Sequence, residues 1–387
     1  MKQLLCAFLA VLLLTGCAGK VTPTLPSLWQ PSQSFVPTDP TEPPTDPVTT
    51  PPTEPDPLEI LLDQMTLEEL VGQLFLARCP EETALEDIEA YHLGGYVLFA
   101  RDFQGETPDS VTKTLNSYQQ ASKIPMLIAV DEEGGRVTRV SSYKTFRSQP
   151  FPAPRELYVQ GGAESVLEAE REKAAMLTAL GINVNLAPVC DLSTNPGDFI
   201  YSRSLGLDPE ATGQMVSQMV ATMDSYSLGS VLKHFPGYGG NADTHTGIAV
   251  DHRTLEALEK ADLVPFQTAI DSGCRAIMVS HNIVTALDAD LPASLSPAVH
   301  RYLREEMGFS GVVITDDLVM DAISDVYGVG EAAVMAVNAG NDLLCSTEYA
   351  VQYAAVLEAV KNGKISTETL HDAVLRILTW KQSLGLL

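Results

Sequence analysis

Short apolar runs alternate with amphipathic segments along the chain from residue 58 onward. A run of about four to eight apolar residues, bounded by glycine or polar residues, is typical of a buried strand. Such runs recur along the whole segment, and each predicts a strand. The predicted strands are Leu74–Ala77, Tyr96–Phe99, Met126–Asp131, Asn183–Ala187, Ser230–His234, Ala276–Ser280, Val312–Asp316 and Asp342–Cys345.

The segments between the strands carry apolar residues at helical spacing. An opening helix is expected over Pro57–Val71, where Thr66 followed three residues later by Glu69 is typical of a helix cap. Further helices are expected at Asp109–Ser122, Glu164–Leu180, Pro209–Ser227, Leu255–Ser272, Glu331–Ala339, Glu348–Lys361 and Ser366–Leu384.

Strands that alternate with helices predict a parallel sheet covered by helices. Residues 58–387 have the length of one barrel domain, so we expect an α/β fold with a single (β/α)8 barrel of the TIM type. A doubly wound open sheet is the alternative arrangement of the same pattern. No G-x-G-x-x-G motif follows the first predicted strand, which disfavours a dinucleotide-binding domain.

The N-terminal residues have a different pattern. Lys2 precedes an apolar run, Leu4 to Leu14, which has the length of a signal-peptide core and is too short to span a bilayer. The run ends in Leu14-Thr15-Gly16-Cys17, which resembles the cleavage motif of bacterial lipoproteins. We therefore expect residues 1–16 to be a lipoprotein signal peptide and Cys17 to be lipidated. An ordinary secretory signal with a chance cysteine is the alternative.

A linker rich in proline and threonine is predicted after the signal, from residue 17 to residue 57. Between Val21 and Pro57, 12 of 37 residues are proline, eight are threonine, and none is lysine or arginine. Such a segment cannot bury enough apolar surface to fold, and its prolines hold it extended. The sequence thus predicts a disordered stalk that holds a barrel domain, residues 58–387, on the outer side of a bacterial membrane.

The formal net charge of −26 narrows the possible partners. Nucleic acid and anionic membrane surfaces both need clustered lysine and arginine, so neither is expected to bind. We expect a monomer that contacts the membrane only through its lipid. Cys79, Cys190, Cys274 and Cys345 lack Cys-x-x-Cys spacing, so they are predicted to be buried free thiols rather than disulfides or zinc ligands.

Polar side chains stand where the predicted strands end. In a (β/α) barrel the carboxyl ends of the strands meet at one face, and active sites lie there. Charged or hydrogen-bonding residues at five strand ends are difficult to explain by packing, so a functional pocket is expected. The residues are Asp131, Asp191 with Arg203 in the following loop, Lys233-His234, Ser280-His281-Asn282 and Asp316-Asp317.

The segment from Lys233 to His245, KHFPGYGGNADTH, is the most concentrated of these groups. Its glycines allow the main chain to approach a ligand closely. Its Asp-x-His pair, Asp243 and His245, has the residue types of a proton shuttle. The alternative is a surface loop whose polar residues face water.

Strand-end carboxylates and an Asp-x-His pair suit retaining glycoside hydrolysis, which needs a carboxylate nucleophile and a separate acid/base. Asp316 follows the apolar run Gly311–Ile314 and is the predicted nucleophile. Its alternative role is to cap the turn after the strand. Asp317 competes with it for the catalytic role.

Five longer motifs follow one another along the chain. They are Ala129–Arg139 (AVDEEGGRVTR), Asn185–Asp191 (NLAPVCD), Lys233–Gly237 (KHFPG), Asp243–His245 (DTH) and Thr315–Met320 (TDDLVM). Through these motifs the chain resembles the β-N-acetylglucosaminidases of glycoside hydrolase family 3, over nearly all of residues 58–387.

This resemblance implies a covalent glycosyl intermediate on Asp316 and an acid/base dyad in which Asp243 orients His245. Histidine suits both proton transfers because its reference pKa is about 6.5. The resemblance implies no cofactor. It also implies a set of sugar-binding residues, to which we add Asp191. The predicted set is Asp131, Arg139, Asp191, Arg203, Lys233 and His234.

Three features depart from the family pattern. Tyr238 stands where histidine is common, Glu132 stands where glutamine is frequent, and the loop before Asp243 is one residue short. The predicted function is release of terminal β-N-acetylglucosamine from cell-wall fragments or other glycans by a retaining, exo-acting enzyme. The alternatives are a β-glucosidase, a phosphorolytic enzyme of the same family, or a sugar-binding lipoprotein without catalysis.

Overall fold

A computed structural model of the chain describes residues 56–240 and 247–387. The predicted signal peptide, the lipidation site Cys17 and nearly all of the predicted linker lie outside the described residues. The predicted acid/base pair, Asp243 and His245, also lies outside them. The domain boundaries and these assignments therefore stay predictions.

The chain forms short strands at each position where an apolar run predicts one. All the predicted strands are confirmed, although the fourth is shorter than expected. The strands are β1 (Phe75–Arg78), β2 (Gly95–Leu98), β3 (Leu127–Val130), β4 (Val184–Asn185), β5 (Gly229–Ser230), β6 (Leu232–Phe235), β7 (Val250–Asp251), β8 (Ala276–Val279), β9 (Ile283–Val284), β10 (Val312–Thr315) and β11 (Leu344–Ser346).

The strand pairs form a closed parallel ring. One sheet has the order β11-β1-β2-β3-β4-β5, and a second has the order β10-β8-β6. Strand β6 continues β5 after Val231, which joins the sheets on one side. A parallel bridge between Ile314 in β10 and Leu343, next to β11, joins them on the other. The predicted (β/α)8 barrel is confirmed, and β7 pairs separately with β9.

Helices lie between the strands of the ring and after it. The first predicted helix is two helices, because Thr66 starts the second: its hydroxyl accepts a hydrogen bond from the Glu69 amide at 3.2 Å, and the Glu69 carboxylate accepts one from the Thr66 amide at 2.8 Å. The helices are α1 (Pro57–Asp63), α2 (Leu67–Gln73), α3 (Ala84–Tyr91), α4 (Pro108–Ala121), α5 (Pro154–Leu180, kinked at Gly161-Gly162), α6 (Pro209–Asp224), α7 (Leu255–Glu259), α8 (Leu263–Asp271), α9 (Pro297–Arg301), α10 (Asp321–Ser324), α11 (Val329–Ala339), α12 (Tyr349–Lys361) and α13 (Thr367–Ser383).

The barrel strands are buried on both faces, since alternate side chains fill the barrel or face the helices. All four residues of β2, β3, β8 and β10 are buried. The four cysteines of the barrel domain are buried free thiols, as predicted. Over the described ranges, no helix has the length and apolar character needed to cross a membrane.

Helix α13 packs against the amino-terminal ends of the strands, opposite the expected site. A Cβ atom at Gly229, the first residue of β5, would lie 2.9 Å from the Trp380 ring, so only glycine fits there. Lys381 is fully buried beside Trp380 and donates a hydrogen bond to the Gln73 side-chain oxygen at 2.6 Å. The two ends of the barrel therefore differ: this helix packs against one, and the other holds the predicted site residues.

Candidate active site

The carboxyl ends of the strands surround a pocket of about 670 Å³. Side chains from the ends of β1, β2, β3, β6, β10 and β11 reach its wall, as expected for a (β/α) barrel. The polar and aromatic wall residues include Arg78, Phe99, Asp131, Arg136, Arg139, Phe199, Arg203, Lys233, His234, Asp316, Asp317, Asp321 and Thr347.

A buried lysine forms the base of the pocket. Lys233, in β6, is 2 % exposed. Its ammonium nitrogen lies 2.7 Å from an Asp131 oxygen and 2.6 Å from a Glu133 oxygen. Asp131 directly follows β3, so the pair joins two separate strands of the ring. The peptide bond after Lys233 is cis.

Glu133 also binds Arg203 through two hydrogen bonds. The Arg203 Nε and Nη2 atoms donate to the two Glu133 oxygens at 2.9 and 2.7 Å. This planar, two-point contact is the geometry that best fits guanidinium and carboxylate. One buried carboxylate therefore holds two pocket cations, Lys233 and Arg203, in fixed positions.

His234 uses both ring nitrogens within the protein. Nε2 lies 3.1 Å from Arg203 Nη2, which can only donate, so Nε2 accepts. Nδ1 then carries the proton and donates to Asp191 at 2.7 Å. Asp191 also accepts the backbone amides of His234 at 3.1 Å and Tyr238 at 2.7 Å. Tyr238 packs edge-on against His234, with ring centroids 5.0 Å apart.

A second buried glutamate shapes the loop after β3. Glu132 is fully buried, and its carboxylate accepts the backbone amides of Arg139 at 2.9 Å and Val140 at 2.8 Å, together with the Ser141 hydroxyl. The loop thus folds back and presents Arg139 to the pocket, where its Nη2 lies 3.6 Å from Asp131. Glutamate at position 132, where the family often has glutamine, therefore has a structural role, because every one of these partners donates to its carboxylate.

Asp316 and Asp317 follow β10 and have different surroundings. The Asp317 carboxylate accepts the Thr347 hydroxyl at 2.7 Å and the Val319 amide at 3.2 Å, which ties the loops after β10 and β11 together. Burial raises the pKa of Asp317. Asp316 is partly exposed on the pocket wall and accepts the Asp317 amide at 2.9 Å.

The buried charges at the base stabilise one another. Burial by itself would raise the pKa of Glu133, but the charges of Lys233 and Arg203 outweigh it and hold that pKa well below its usual range. Burial would lower the pKa of Lys233, but Asp131 and Glu133 raise it above its usual value. Glu133, Lys233 and Arg203 are therefore all charged at neutral pH.

The structure brings most of the predicted site residues into this pocket. Asp191 is the exception among the described ones: its side chain lies behind His234, away from the wall, so it contacts the pocket only through that ring. His281 is also fully buried, between Ser294 and the Asp317 carbonyl. The wall residues that match the prediction are Asp131, Arg139, Arg203, Lys233, His234 and Asp316.

Glu133, Arg78 and Phe99 are among the residues of the candidate site that the sequence pattern does not single out. Glu133 lies inside the first long motif, but its contacts with Lys233 and Arg203 depend on the closed ring. Arg78 is the last residue of β1, and Phe99 directly follows β2. A charged residue at the end of a buried strand is the signal that identifies the other site residues, and it applies equally to Arg78.

Comparison with known proteins agrees with this geometry. Residues 66–380 match the glycosyl hydrolase family 3 N terminal domain. A β-hexosaminidase of Tolumonas auensis is 35% identical over 277 residues, which cover 71% of this chain and 81% of that protein. β-Hexosaminidase LpqI of Mycobacterium tuberculosis is 32% identical over 307 residues, which cover 75% and 76%.

Solved structures give the same result. A glycoside hydrolase family 3 β-N-acetylglucosaminidase from Paenibacillus has a TM-score of 0.78 and 36% identity, covering 83% of this chain and 63% of that one. M. tuberculosis LpqI has a TM-score of 0.76 and 29% identity, covering 84% and 96%. The chain therefore belongs to glycosyl hydrolase family 3, as a glycoside hydrolase of the β-hexosaminidase type.

Proposed function

We propose that the protein is a retaining exo-β-N-acetylglucosaminidase that releases terminal β-N-acetylglucosamine from cell-wall fragments or other glycans. The observation that carries the proposal is Asp316, a carboxylate on the wall of a pocket whose base is a buried cluster of charges. The Paenibacillus relative, by its description, is a β-N-acetylglucosaminidase.

Asp316 is the proposed nucleophile. In the first step a carboxylate oxygen bonds to the anomeric carbon as the bond to the leaving group breaks. In the second step water attacks the same carbon and releases the carboxylate, so the product keeps the β configuration. Asp317, the other candidate, accepts hydrogen bonds from Thr347 and Val319 that hold two loops together. This structural role supports the assignment of Asp316.

Asp243 and His245 are the proposed acid/base dyad. His245 gives its proton to the departing oxygen and recovers one from the attacking water, while Asp243 sets the imidazole tautomer. Both residues lie outside the described part of the chain, so their support is the D-T-H motif after β6.

The cluster at the base is the proposed sugar-binding surface. Lys233 and Arg203 have N–H groups beyond those given to Glu133, and Asp131 has free acceptor capacity next to Arg139. Neutral hydroxyl groups suit such alternating donors and acceptors. Because Glu133 and Asp191 fix this surface from behind, it binds a sugar without rearranging.

The test compares Asp316→Ala with Asp317→Ala on an aryl β-N-acetylglucosaminide. We expect Asp316→Ala to lower kcat by roughly three orders of magnitude or more, because no covalent intermediate forms. Asp317→Ala should lower thermal stability and reduce kcat far less. An Asp316→Ala enzyme with wild-type turnover would exclude this nucleophile, and the converse result would assign the role to Asp317.

A panel of aryl glycosides separates the alternative activities. We expect turnover of the β-N-acetylglucosaminide, little turnover of the β-glucoside, and free N-acetylglucosamine as product in water. A phosphorylated product in the presence of phosphate would identify a phosphorolytic enzyme. Binding of N-acetylglucosamine without turnover of any substrate would identify a binding protein.

Attachment to the outer side of a bacterial membrane through lipidated Cys17 completes the proposal, supported by the L-T-G-C motif. In a bacterial host, radiolabelled palmitate should label the full-length chain, and Cys17→Ala should remove the label and the membrane association. Label retained in that variant would place the lipid elsewhere.

A further inference from the structure

Arg78 lies on the pocket wall, where its guanidinium stacks on an aromatic ring. It ends β1, and its guanidinium carbon lies 4.5 Å from the centroid of the Phe99 ring. Across residues 56–240 and 247–387 the guanidinium makes no hydrogen bond or ion pair, and its Nε atom is buried. A buried donor without an acceptor costs about 1–3 kcal/mol, so its position needs an explanation.

Two other arginines stand beside it. Arg139 also lies over Phe99, at 5.8 Å from the ring centroid, and its Nε is likewise buried without a partner. Arg136, in the loop after β3, lines the same pocket and makes no hydrogen bond or ion pair in the described part of the chain. Phe99 thus supports two guanidinium groups on one face of the pocket.

The neighbouring carboxylates already have partners. Glu133 holds Lys233 and Arg203, and Asp131 holds Lys233 and lies near Arg139. Acidic residues outnumber basic ones by 50 to 24 in this chain, yet Arg78 forms no ion pair in the described ranges, and the charge of Asp102 acts on it only from beyond ion-pair distance. This wall carries an excess of positive charge inside a strongly negative protein.

The negative charge of the pocket lies with carboxylates that follow another strand. Asp316, Asp317 and Asp321 also line the pocket, and all three follow β10. A ligand that is negative throughout would be repelled by them. A neutral sugar placed against Asp316, with a negative group against Arg78, would match both parts of the pocket.

We propose that Arg78, held on Phe99 and assisted by Arg136, forms an anion-binding subsite that accepts a carboxylate or phosphate group. Guanidinium presents a planar fork of N–H donors that matches both oxyanions, and stacking on an aromatic ring leaves those donors free. The oxyanion is carried by the glycan on the leaving-group side or is free phosphate. This inference rests on the proposed glycosidase function and adds a substrate class to it.

The first experiment uses two substrates that differ only in charge, the 3-carboxyphenyl and 3-carbamoylphenyl β-N-acetylglucosaminides. We expect wild-type kcat/KM to favour the carboxylate by roughly tenfold at low salt and less at high salt. Arg78→Gln should reduce this ratio to about one, while Arg78→Lys should retain part of it. The ratio is the readout because misfolding lowers both values together.

The matched control is Arg171→Gln. Arg171 lies on α5 and pairs with the exposed Glu164, away from the pocket wall. Arg171→Gln removes the same charge from the protein as Arg78→Gln does. It therefore tests whether the change in net charge alone alters the substrate preference. A ratio that falls equally in both variants, or a wild-type ratio of one without any phosphate effect, would overturn the subsite.

The second experiment identifies free phosphate as the source. Phosphate oxygen would attack the anomeric carbon of the glycosyl-enzyme, release the Asp316 carboxylate and yield N-acetylglucosamine 1-phosphate. If this product forms in wild type and is lost in Arg78→Gln, the subsite serves phosphate. If only the carboxylate preference depends on Arg78, it serves the glycan.

Failure of the proposed function gives a different result. If the wild-type enzyme cleaves no aryl β-N-acetylglucosaminide, the assigned activity fails. Thermal shift with inorganic phosphate or 3-hydroxybenzoate then tests the subsite alone, since stabilisation should require Arg78. Equal shifts in wild type and Arg78→Gln, or none in either, would overturn it.

Discussion

At the residue scale, Glu133 determines how the base of the pocket is built. Its two oxygens bind Lys233 and Arg203, which come from different parts of the ring. A buried carboxylate between two cations keeps both charged and fixed, and removal of one member leaves the others buried without compensation. Glu133 touches no pocket space itself, so its role is one of positioning.

Glu133→Gln tests this role. We expect the free energy of unfolding to fall by about 2–4 kcal/mol, because two buried cations lose a charge partner. KM should rise more than kcat falls, since Asp316, the proposed nucleophile, is untouched. Urea denaturation and steady-state kinetics measure the two effects.

The control for Glu133→Gln is Glu172→Gln, which removes the exposed partner of Arg147 and should cost under about 1 kcal/mol. Similar small losses in both variants would refute the role. The pKa of Glu133 is lowered in the folded state, so its contribution is complete above its ordinary value of 4.5 and is lost as the pH falls below it.

At the element scale, Arg253 packs against the start of the loop that follows β6. Arg253 pairs with Asp251 at 2.6 Å and with Asp262 at 2.5 Å, and Asp262 stands between α7 and α8. A Cβ atom at Gly239 would lie 2.5 Å from Arg253 Nη2, and Gly239 has φ of +54°. The predicted single helix Leu255–Ser272 is interrupted where Asp262 makes this contact.

Gly239→Ala should therefore lower the free energy of unfolding by more than the cost of placing alanine in a left-handed conformation. Gly363 has φ of +77° with open space around it, so Gly363→Ala measures the conformational cost by itself, about 1–2 kcal/mol. The additional loss in Gly239→Ala reports the contact with Arg253, whose two ion pairs prevent it from moving aside. Equal losses of unfolding free energy would show that Arg253 yields without cost.

Strands are easier to predict from the sequence than helices. Barrel strands are buried on both faces and form continuous apolar runs, so the pattern places each of them correctly. Helix α3 escapes prediction because it has only eight residues, three of them acidic. The interruption between α7 and α8 depends on the contact of Asp262 with Arg253, which local periodicity does not contain.

The candidate site shows the same difference between features set by the local sequence and features set by tertiary contacts. Strand-end positions alone predict that Asp131, Lys233 and Asp316 line one pocket, because a barrel brings all its strand ends together. The sequence cannot assign Asp191 to the layer behind His234, since side-chain direction after a strand depends on the loops packed around it. Nor can it show that Arg78 forms no ion pair within residues 56–240 and 247–387.

At the scale of the whole molecule, the end of the barrel opposite the candidate site holds a buried lysine, Lys381. Burial lowers the pKa of Lys381 to about 7, and its hydrogen-bond partner there is the neutral Gln73. Between this value and the ordinary 10.5, the unfolded chain binds a proton that the folded one lacks. Stability through this group therefore rises with pH across that window and is lowest below it.

Lys381→Met should stabilise the protein near neutral pH by up to a few kcal/mol, because methionine fills similar space without a charge. The difference in unfolding free energy between variant and wild type should shrink as the pH rises from 7 toward 10. Denaturation at several pH values measures it. A constant difference would show that Lys381 does not titrate in this range.

The four buried thiols can report local opening of the barrel. Burial raises the pKa of Cys79 and of Cys274 to about 12, and it raises the pKa of Cys190 and of Cys345 well above the usual value of 9.0. Since only the thiolate reacts, each is inert until its surroundings open. They lie beside β1, β4, β8 and β11, so the order in which they react with a thiol reagent would record which sector of the barrel separates first.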